Sequence, residues 1–120
     1  MTQSEALLLT LAIEVPIAVG LVAALRWTSP RRLLLVAASS LAASTWTHPL
    51  LWMVEPLLAA TIRDRALRLG LLEAGIALVE AAVYWLAAGL PPRRALLVSV
   101  VANGASLGAG LLIYALTTPS

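Results

Sequence analysis

The chain has 120 residues, of which 61% are hydrophobic, and its mean hydropathy is +0.94. Soluble domains average about 45–50% apolar residues, so the composition predicts a membrane protein and leaves room for one domain. The sequence holds eight basic residues, six acidic residues and no Cys, which excludes disulfides and Cys nucleophiles, and it has no basic stripe on a soluble element that would bind nucleic acid.

The first apolar run, about residues 4–25, predicts a membrane helix with Glu14 and Pro16 near its middle. Pro16 should bend this helix because proline removes a backbone hydrogen bond. The run has no basic segment before it and is longer than the apolar core of a signal peptide. We therefore expect it to remain in the protein as a helix.

The second run, about residues 31–52, predicts a helix with polar side chains along one side: Ser40, Ser44, Thr47 and His48. We expect a kink at Pro49, and Pro56 should end the helix. Residues 57–66 then alternate apolar and charged side chains, a pattern typical of a short helix at the membrane interface.

The third and fourth runs, about residues 67–88 and 95–116, complete four predicted spans. Each span has about 20 residues, the length that crosses roughly 30 Å of hydrocarbon. We therefore expect an all-α polytopic membrane protein in which residues 1–120 form a single transmembrane domain, a small four-helix bundle.

Polar residues recur at helical spacing in both of these runs. In the third run Glu73, Glu80 and Tyr84 share one face, because seven residues make about two helical turns. In the fourth run the polar face consists of Ser99, Asn103 and Ser106. Ionisable groups at membrane depth are costly, so they indicate a functional site.

The Arg residues predict the orientation of the chain in the membrane. Five of the eight lie in the loops after the first and third helices: Arg26, Arg31, Arg32, Arg93 and Arg94. The positive-inside rule places these loops in the cytoplasm and both termini outside, in what we expect to be a bacterial inner membrane. The lipid bilayer is thus the first predicted partner.

Two further patterns concern repetition and assembly. The segment at residues 30–36 has an echo 62 residues later, at 92–98, and Ser44 has its counterpart in Ser106. This echo favours two parallel helical hairpins, with chance similarity between Leu-rich spans as the alternative. The pair Gly104 and Gly108 forms a GxxxG motif, which favours a homo-oligomer such as a dimer.

The polar residues are predicted to form two levels in the bundle. Counted at about 1.5 Å per residue, Glu14, His48 and Glu73 lie roughly 6–12 Å from the outer edge, and Glu80 and Asn103 lie roughly 18–20 Å from it. These five residues are the predicted binding site for an ion, a proton or a substrate. Four polar residues would support them: Ser44, Thr47, Tyr84 and Ser106. Tyr84 is either a partner of Glu80 or an anchor at the membrane interface.

The first functional hypothesis is proton-coupled or cation-coupled transport of a small solute. A buried carboxyl group exchanges protons and can bind a second cation in their place. The small size, the four spans and the sequence AIEV around Glu14 resemble the small multidrug resistance transporters. The resemblance is an analogy, since Glu73, Glu80 and His48 depart from the pattern of that family.

The second hypothesis is an intramembrane metal site formed by Glu14, His48 and Glu73. Imidazole and carboxylate ligands suit Zn²⁺, Fe²⁺ or Mn²⁺, so a divalent metal ion is the alternative cofactor. The sequence contains no HExxH or ExxH motif. Nothing in it therefore names a hydrolase or a di-iron enzyme, and non-enzymatic function is favoured.

The third hypothesis is a membrane subunit or scaffold without chemistry of its own. In that case the buried acids stay protonated and bond to neighbouring hydroxyl and amide groups, which pairs the helices. The motifs Glu14-Val15-Pro16, Thr47-His48-Pro49, Glu73 with Glu80, and Asn103 with Ser106 together resemble small four-helix bacterial integral membrane proteins of uncharacterised function. That resemblance implies the fold and implies no activity.

Overall fold

The computed structural model describes residues 2–118, which form a bundle of four α-helices. The helices are α1 (Gln3–Ala24), α2 (Leu33–Ala59), α3 (Arg65–Leu86) and α4 (Pro92–Thr117), and one 3-10 turn (Pro30–Arg32) precedes α2. Each helix packs on its neighbour in the chain, and α4 packs back on α1. The predicted all-α four-helix architecture is therefore confirmed.

Three helices within residues 2–118 are long and apolar enough to cross a membrane, namely α1, α3 and α4. The second helix is not among them, although it is the longest at 27 residues. Its sequence is rich in Ser and Thr, which lowers its mean hydropathy. Membrane-spanning helices are thus supported for three of the four predicted spans.

The second helix contains both Pro49 and Pro56 and is longer than predicted. Two predictions are therefore corrected. Pro56 does not end it, and the separate interfacial helix predicted for residues 57–66 is not formed. Instead α2 runs to Ala59, a turn follows, and α3 starts at Arg65. A proline removes one backbone donor, and packing against neighbouring helices compensates for that loss.

Arg68 holds the connection between α2 and α3 in place. Its Nε donates to Glu55 Oε1 at 3.1 Å, and its Nη1 donates to the carbonyl groups of Ile62 and Arg63 at 2.8 and 3.1 Å. Asp64 caps α3 by accepting the backbone N–H of Leu67 at 3.0 Å. These contacts are found in place of the predicted interfacial helix, and they give Arg68 a structural role.

An apolar core fills the end of the bundle that carries the Arg-rich loops. Its fully buried members include Val22, Val36, Tyr84, Leu90 and Val98. Val36 and Val98 are counterparts in the 62-residue echo and belong to the same cluster. This end of the bundle is therefore closed by close packing.

The two Arg-rich loops lie side by side at the same end. The guanidinium of Arg94 lies over the ring of Trp27, 5.2 Å from its centroid. Gly89 ends α3 with a φ of +73°, and a Cβ at that position would lie 3.6 Å from Arg32 Nη1. All five Arg side chains of these loops are exposed. The end opposite the termini is thus strongly basic.

The outer surface of the bundle is apolar along all four helices. Leu34, Trp46, Leu86 and Leu116 have exposed fractions between 74% and 77%. Exposed apolar surface of this extent is not stable in water and fits contact with lipid. The GxxxG glycines of α4 also face outward, and a Cβ added at Gly104 or Gly108 would meet nothing within 4 Å. No other helix of the same chain packs closely against these two glycines within residues 2–118. The homo-oligomer stays a prediction.

The closed end allows a direct test of packing. Leu90 is 2% exposed, so Leu90→Ala should leave a cavity and lower the free energy of unfolding by about 2 kcal/mol or more. Leu86 is 75% exposed on the outer surface, so Leu86→Ala should change stability by less than about 0.5 kcal/mol. Thermal or denaturant unfolding in detergent measures both. Equal effects of the two substitutions would contradict the packed core.

Candidate functional site

All five predicted binding residues line one cleft of about 620 Å³. They are Glu14, His48, Glu73, Glu80 and Asn103. The lining comes mainly from the first halves of α1 and α3 and from the second halves of α2 and α4, and it extends past the middle of α3 to Glu80. The cleft therefore lies toward the end of the bundle that carries the termini, opposite the apolar core.

Glu14 is buried, with 2% of its surface exposed, and both of its carboxyl oxygens accept hydrogen bonds. Ser44 Oγ donates to Glu14 Oε2 at 2.5 Å, and Ser106 Oγ donates to Glu14 Oε1 at 2.7 Å. These two serines are counterparts in the 62-residue echo. The two halves of the sequence thus supply equivalent hydroxyl groups to one carboxyl group.

Glu80 is equally buried and is bound by the neighbouring helices α2 and α4. Thr47 Oγ1 donates to Glu80 Oε1 at 3.1 Å, and Asn103 Nδ2 donates to Glu80 Oε2 at 2.6 Å. Ser44 Oγ lies 3.4 Å from Glu80 Oε1 while it donates to Glu14. Ser44 therefore stands between the two carboxyl groups and joins them in one acid network.

Ser99 positions the amide group of Asn103, a role that the sequence did not assign. Asn103 Nδ2 donates to the backbone carbonyl of Ser99 at 2.9 Å as well as to Glu80. The hydroxyl of Ser99 donates to the carbonyl of Ala77 on α3 at 2.6 Å. The sequence did contain a signal for this role, because Ser99 lies one helical turn before Asn103 on the same face of α4. Ser99 ties α4 to α3 directly beneath the network.

The predicted division into two polar levels is wrong, because Glu14 belongs with Glu80. Depth counted along each helix from its own end ignores the tilt and offset of the helices, which easily amount to one turn, about 5.4 Å. The reach of a glutamate side chain adds to that error. Ser44 contributes as well, because one hydroxyl group contacts both acids.

His48 and Glu73 line the cleft and stand apart from the acid network. His48 Nε2 accepts a hydrogen bond from Trp52 Nε1 at 3.1 Å, so this nitrogen carries no proton and the imidazole is neutral. Glu73 is half-buried and has no hydrogen-bond partner among residues 2–118. Both side chains belong to the wall of the cleft.

The predicted metal centre of Glu14, His48 and Glu73 gains no support from this arrangement. Among the residues that the structure describes, no three His, Asp or Glu side chains are grouped so that they could hold a metal ion. The metal site remains a hypothesis from sequence.

Tyr84 does not anchor the chain at the membrane interface, one of its two predicted roles. It is 1% exposed and packs in the apolar core. No hydrogen bond joins it to Glu80 within residues 2–118, so it supports the site only by packing beneath it. The aromatic residues at the cleft are Trp52 and Tyr114 instead.

The cleft is lined by more acidic than basic side chains. Glu14, Glu73 and Glu80 line it, and the basic residue in its wall is Arg65, whose guanidinium lies 5.5 Å from the centre of the Tyr114 ring. Within residues 2–118, no Arg forms an ion pair with any of the three acids. The chemistry of the cleft therefore favours a positively charged occupant.

A pair of serines one turn apart on α2 tests the network. Ser44 and Ser40 are both 1% exposed, and Ser40 Oγ has no hydrogen-bond partner among residues 2–118. Ser44→Ala removes the hydroxyl between Glu14 and Glu80 and should lower the free energy of unfolding by about 1–3 kcal/mol. Ser40→Ala removes a hydroxyl that lies near Tyr84 and outside the acid network, so it should lower the free energy of unfolding by less than Ser44→Ala does. Unfolding in detergent measures both, and equal losses would argue against the bridging role of Ser44.

Comparisons with other proteins do not assign the site. No family model, no curated protein and no solved structure matches the chain. The similarity to small four-helix membrane proteins and the analogy to small multidrug resistance transporters thus remain predictions. The function is inferred from the geometry of the cleft and of the acid network at its base.

Proposed function

We propose that the chain is a four-span membrane protein that exchanges protons for a cation at Glu14 and Glu80. The observation that carries this proposal is the pairing of two buried carboxyl groups through Ser44 at the base of a cleft. Their neighbours in the network are hydroxyl and amide groups, which bear no charge. The proposal makes the chain a carrier and assigns it no enzymatic activity.

The charge of the network supports an exchange. An ionised carboxylate in a medium of low dielectric constant is very costly unless a positive charge or a proton compensates it. Because no basic side chain is paired with Glu14 or Glu80 within residues 2–118, the compensating charge comes from outside the protein. Protons fill this role in one state, and a bound cation fills it in the other.

The second helix is proposed as the fourth span. Its outward side chains are large and apolar, with exposed fractions of 77% for Leu34, 74% for Trp46 and 71% for Leu57. The residues that lower its hydropathy face the opposite way, since Ser44 and Thr47 are buried in the network. Polar side chains that face the interior of a bundle do not prevent a helix from lying in lipid.

The shape of the bundle supports a carrier rather than a pore. The cleft reaches the acid network from the end with the termini, and the core around Tyr84, Leu90 and Val98 fills the other end. A continuous pore would need an opening through that core. With the Arg-rich loops in the cytoplasm, the cleft faces outward and the core separates the network from the cytoplasmic side.

The proposal is tested with purified protein in liposomes that contain a trapped pH-sensitive dye. Addition of sodium chloride or tetraethylammonium chloride outside should raise the internal pH, because protons leave as the cation enters. Glu14→Gln and Glu80→Gln remove the exchangeable proton while keeping the shape of the side chain. Each should slow the pH change at least tenfold.

Glu5→Gln is the matched control. Glu5 is an acid on α1 that caps the helix with Thr2 and lies outside the network, and Gln supports the same cap. This variant should exchange at the wild-type rate. Unchanged exchange in both network variants, or no pH change in the wild-type protein with either cation, would overturn the proposal. Folded network variants that differ from the wild type only in thermal stability would indicate a scaffold.

A further inference from the structure

A second cavity, of about 260 Å³, lies between α2 and α3 beside the cleft. Its lining is apolar except for Thr47, and includes Leu50, Val54, Leu71 and Val79. These four side chains are between 37% and 54% exposed on the outer surface of the bundle. The cavity, called the lateral groove below, therefore opens toward the region that lipid would occupy.

The lateral groove and the cleft share a wall. Thr47, Leu51 and Ile76 line both cavities. Thr47 also donates to Glu80 Oε1 at 3.1 Å, so the shared wall reaches the acid network itself. The side chains of Thr47, Leu51 and Ile76 thus lie between the cleft at Glu80 and the groove.

We propose that the occupant is an organic cation whose charged group binds at Glu80 and Glu14 and whose apolar arm lies in the lateral groove. This inference rests on the proposed exchange of protons for a cation and specifies the class of cation. Carboxyl groups beside an apolar groove complement a molecule with one charged end and one apolar end. An inorganic ion would use the cleft alone and would gain nothing from the groove.

Gly75 provides a way to fill the groove without disturbing the acid network. It lines the groove and not the cleft, and a Cβ added at this position would meet nothing within 4 Å. A leucine there can extend into the groove without a clash with the backbone. Gly20 is the matched control, because it is also an exposed helical glycine with open space around it, and it lines neither cavity.

The experiment compares two probes with the same charged group, tetramethylammonium and hexyltrimethylammonium. Binding to wild-type protein in nanodiscs is measured by calorimetry, with the fluorescence of Trp52 at the cleft as a second signal. The hexyl compound should bind at least tenfold more tightly. Gly75→Leu should remove that advantage and leave the affinity for tetramethylammonium unchanged, whereas Gly20→Leu should alter neither affinity.

A second variant guards against a folding defect in Gly75→Leu. Val79 is 54% exposed and lines the groove, so Val79→Ser makes the groove more polar without filling it. This variant should weaken binding of the hexyl compound and not of tetramethylammonium. Loss of the preference for the hexyl compound in either folded variant supports the proposal.

The outcomes separate this inference from the proposed function. If the wild-type protein binds neither probe, the organic-cation inference is overturned, and the proposed exchange fails with it only if sodium also produces no pH change in liposomes. If both probes bind equally and Gly75→Leu affects neither, the groove inference alone is overturned. It is also overturned if Gly75→Leu keeps the preference for the hexyl compound and changes the oligomeric state, because the groove would then be a contact with a second copy.

Discussion

The arrangement of the bundle depends on the burial of two carboxyl groups that need hydrogen-bond partners from other helices. Glu14 on α1 receives hydroxyl groups from α2 and α4, and Glu80 on α3 receives donors from the same two helices. In a medium of low dielectric constant, an unpaired polar group costs more than in water, so the partners must be complete. The network thereby fixes the register of all four helices at one depth. It also explains why polar residues interrupt the apolar sequence of α2, since Ser44 and Thr47 are the donors that the acids require.

The same helices pack in different ways toward the two ends of the bundle. Toward the Arg-rich loops, small residues such as Ala18 and Ala95 allow close approach, and Tyr84 and Leu90 fill the remaining space. Toward the termini, the corresponding positions hold acids, hydroxyl groups and glycine, and a cleft remains. In the wall of this cleft, Trp52 Nε1 donates a hydrogen bond to His48 Nε2. Access to the acids is therefore one-sided as a direct consequence of where large apolar residues occur in the sequence.

The sequence predicted the members of the site better than it predicted their pairing. Glu14, Glu80 and Asn103 were identifiable because polar groups in apolar runs are rare and costly, and the helical period placed Ser44 and Ser106 on the inward faces. Which acid meets which donor depends on helix tilt and side-chain reach, and these follow only from tertiary packing. The prediction of an interfacial helix is wrong for a related reason, because it took Pro56 by itself as the end of the second helix. The second helix continues to Ala59, and Arg68 binds Glu55 across the connection that follows. Such contacts join residues that are far apart in the sequence, so a local pattern does not predict them.

The two acids differ in the donors that surround them, and this difference constrains any proton transfer between them. The amide of Asn103 is oriented by the backbone carbonyl of Ser99, which can only accept, so Nδ2 points at both Ser99 O and Glu80 Oε2. Oε2 of Glu80 therefore faces a group that can only donate, which makes it the less favourable oxygen for a proton. Oε1 faces the hydroxyl groups of Ser44 and Thr47, which can reverse their bonds and accept. The geometry thus favours Oε1 for a proton on Glu80, and the shortest route from there to Glu14 runs through the hydroxyl group of Ser44. Asn103 consequently does more than bind Glu80, because in the proposed exchange it selects the oxygen that gains and loses the proton.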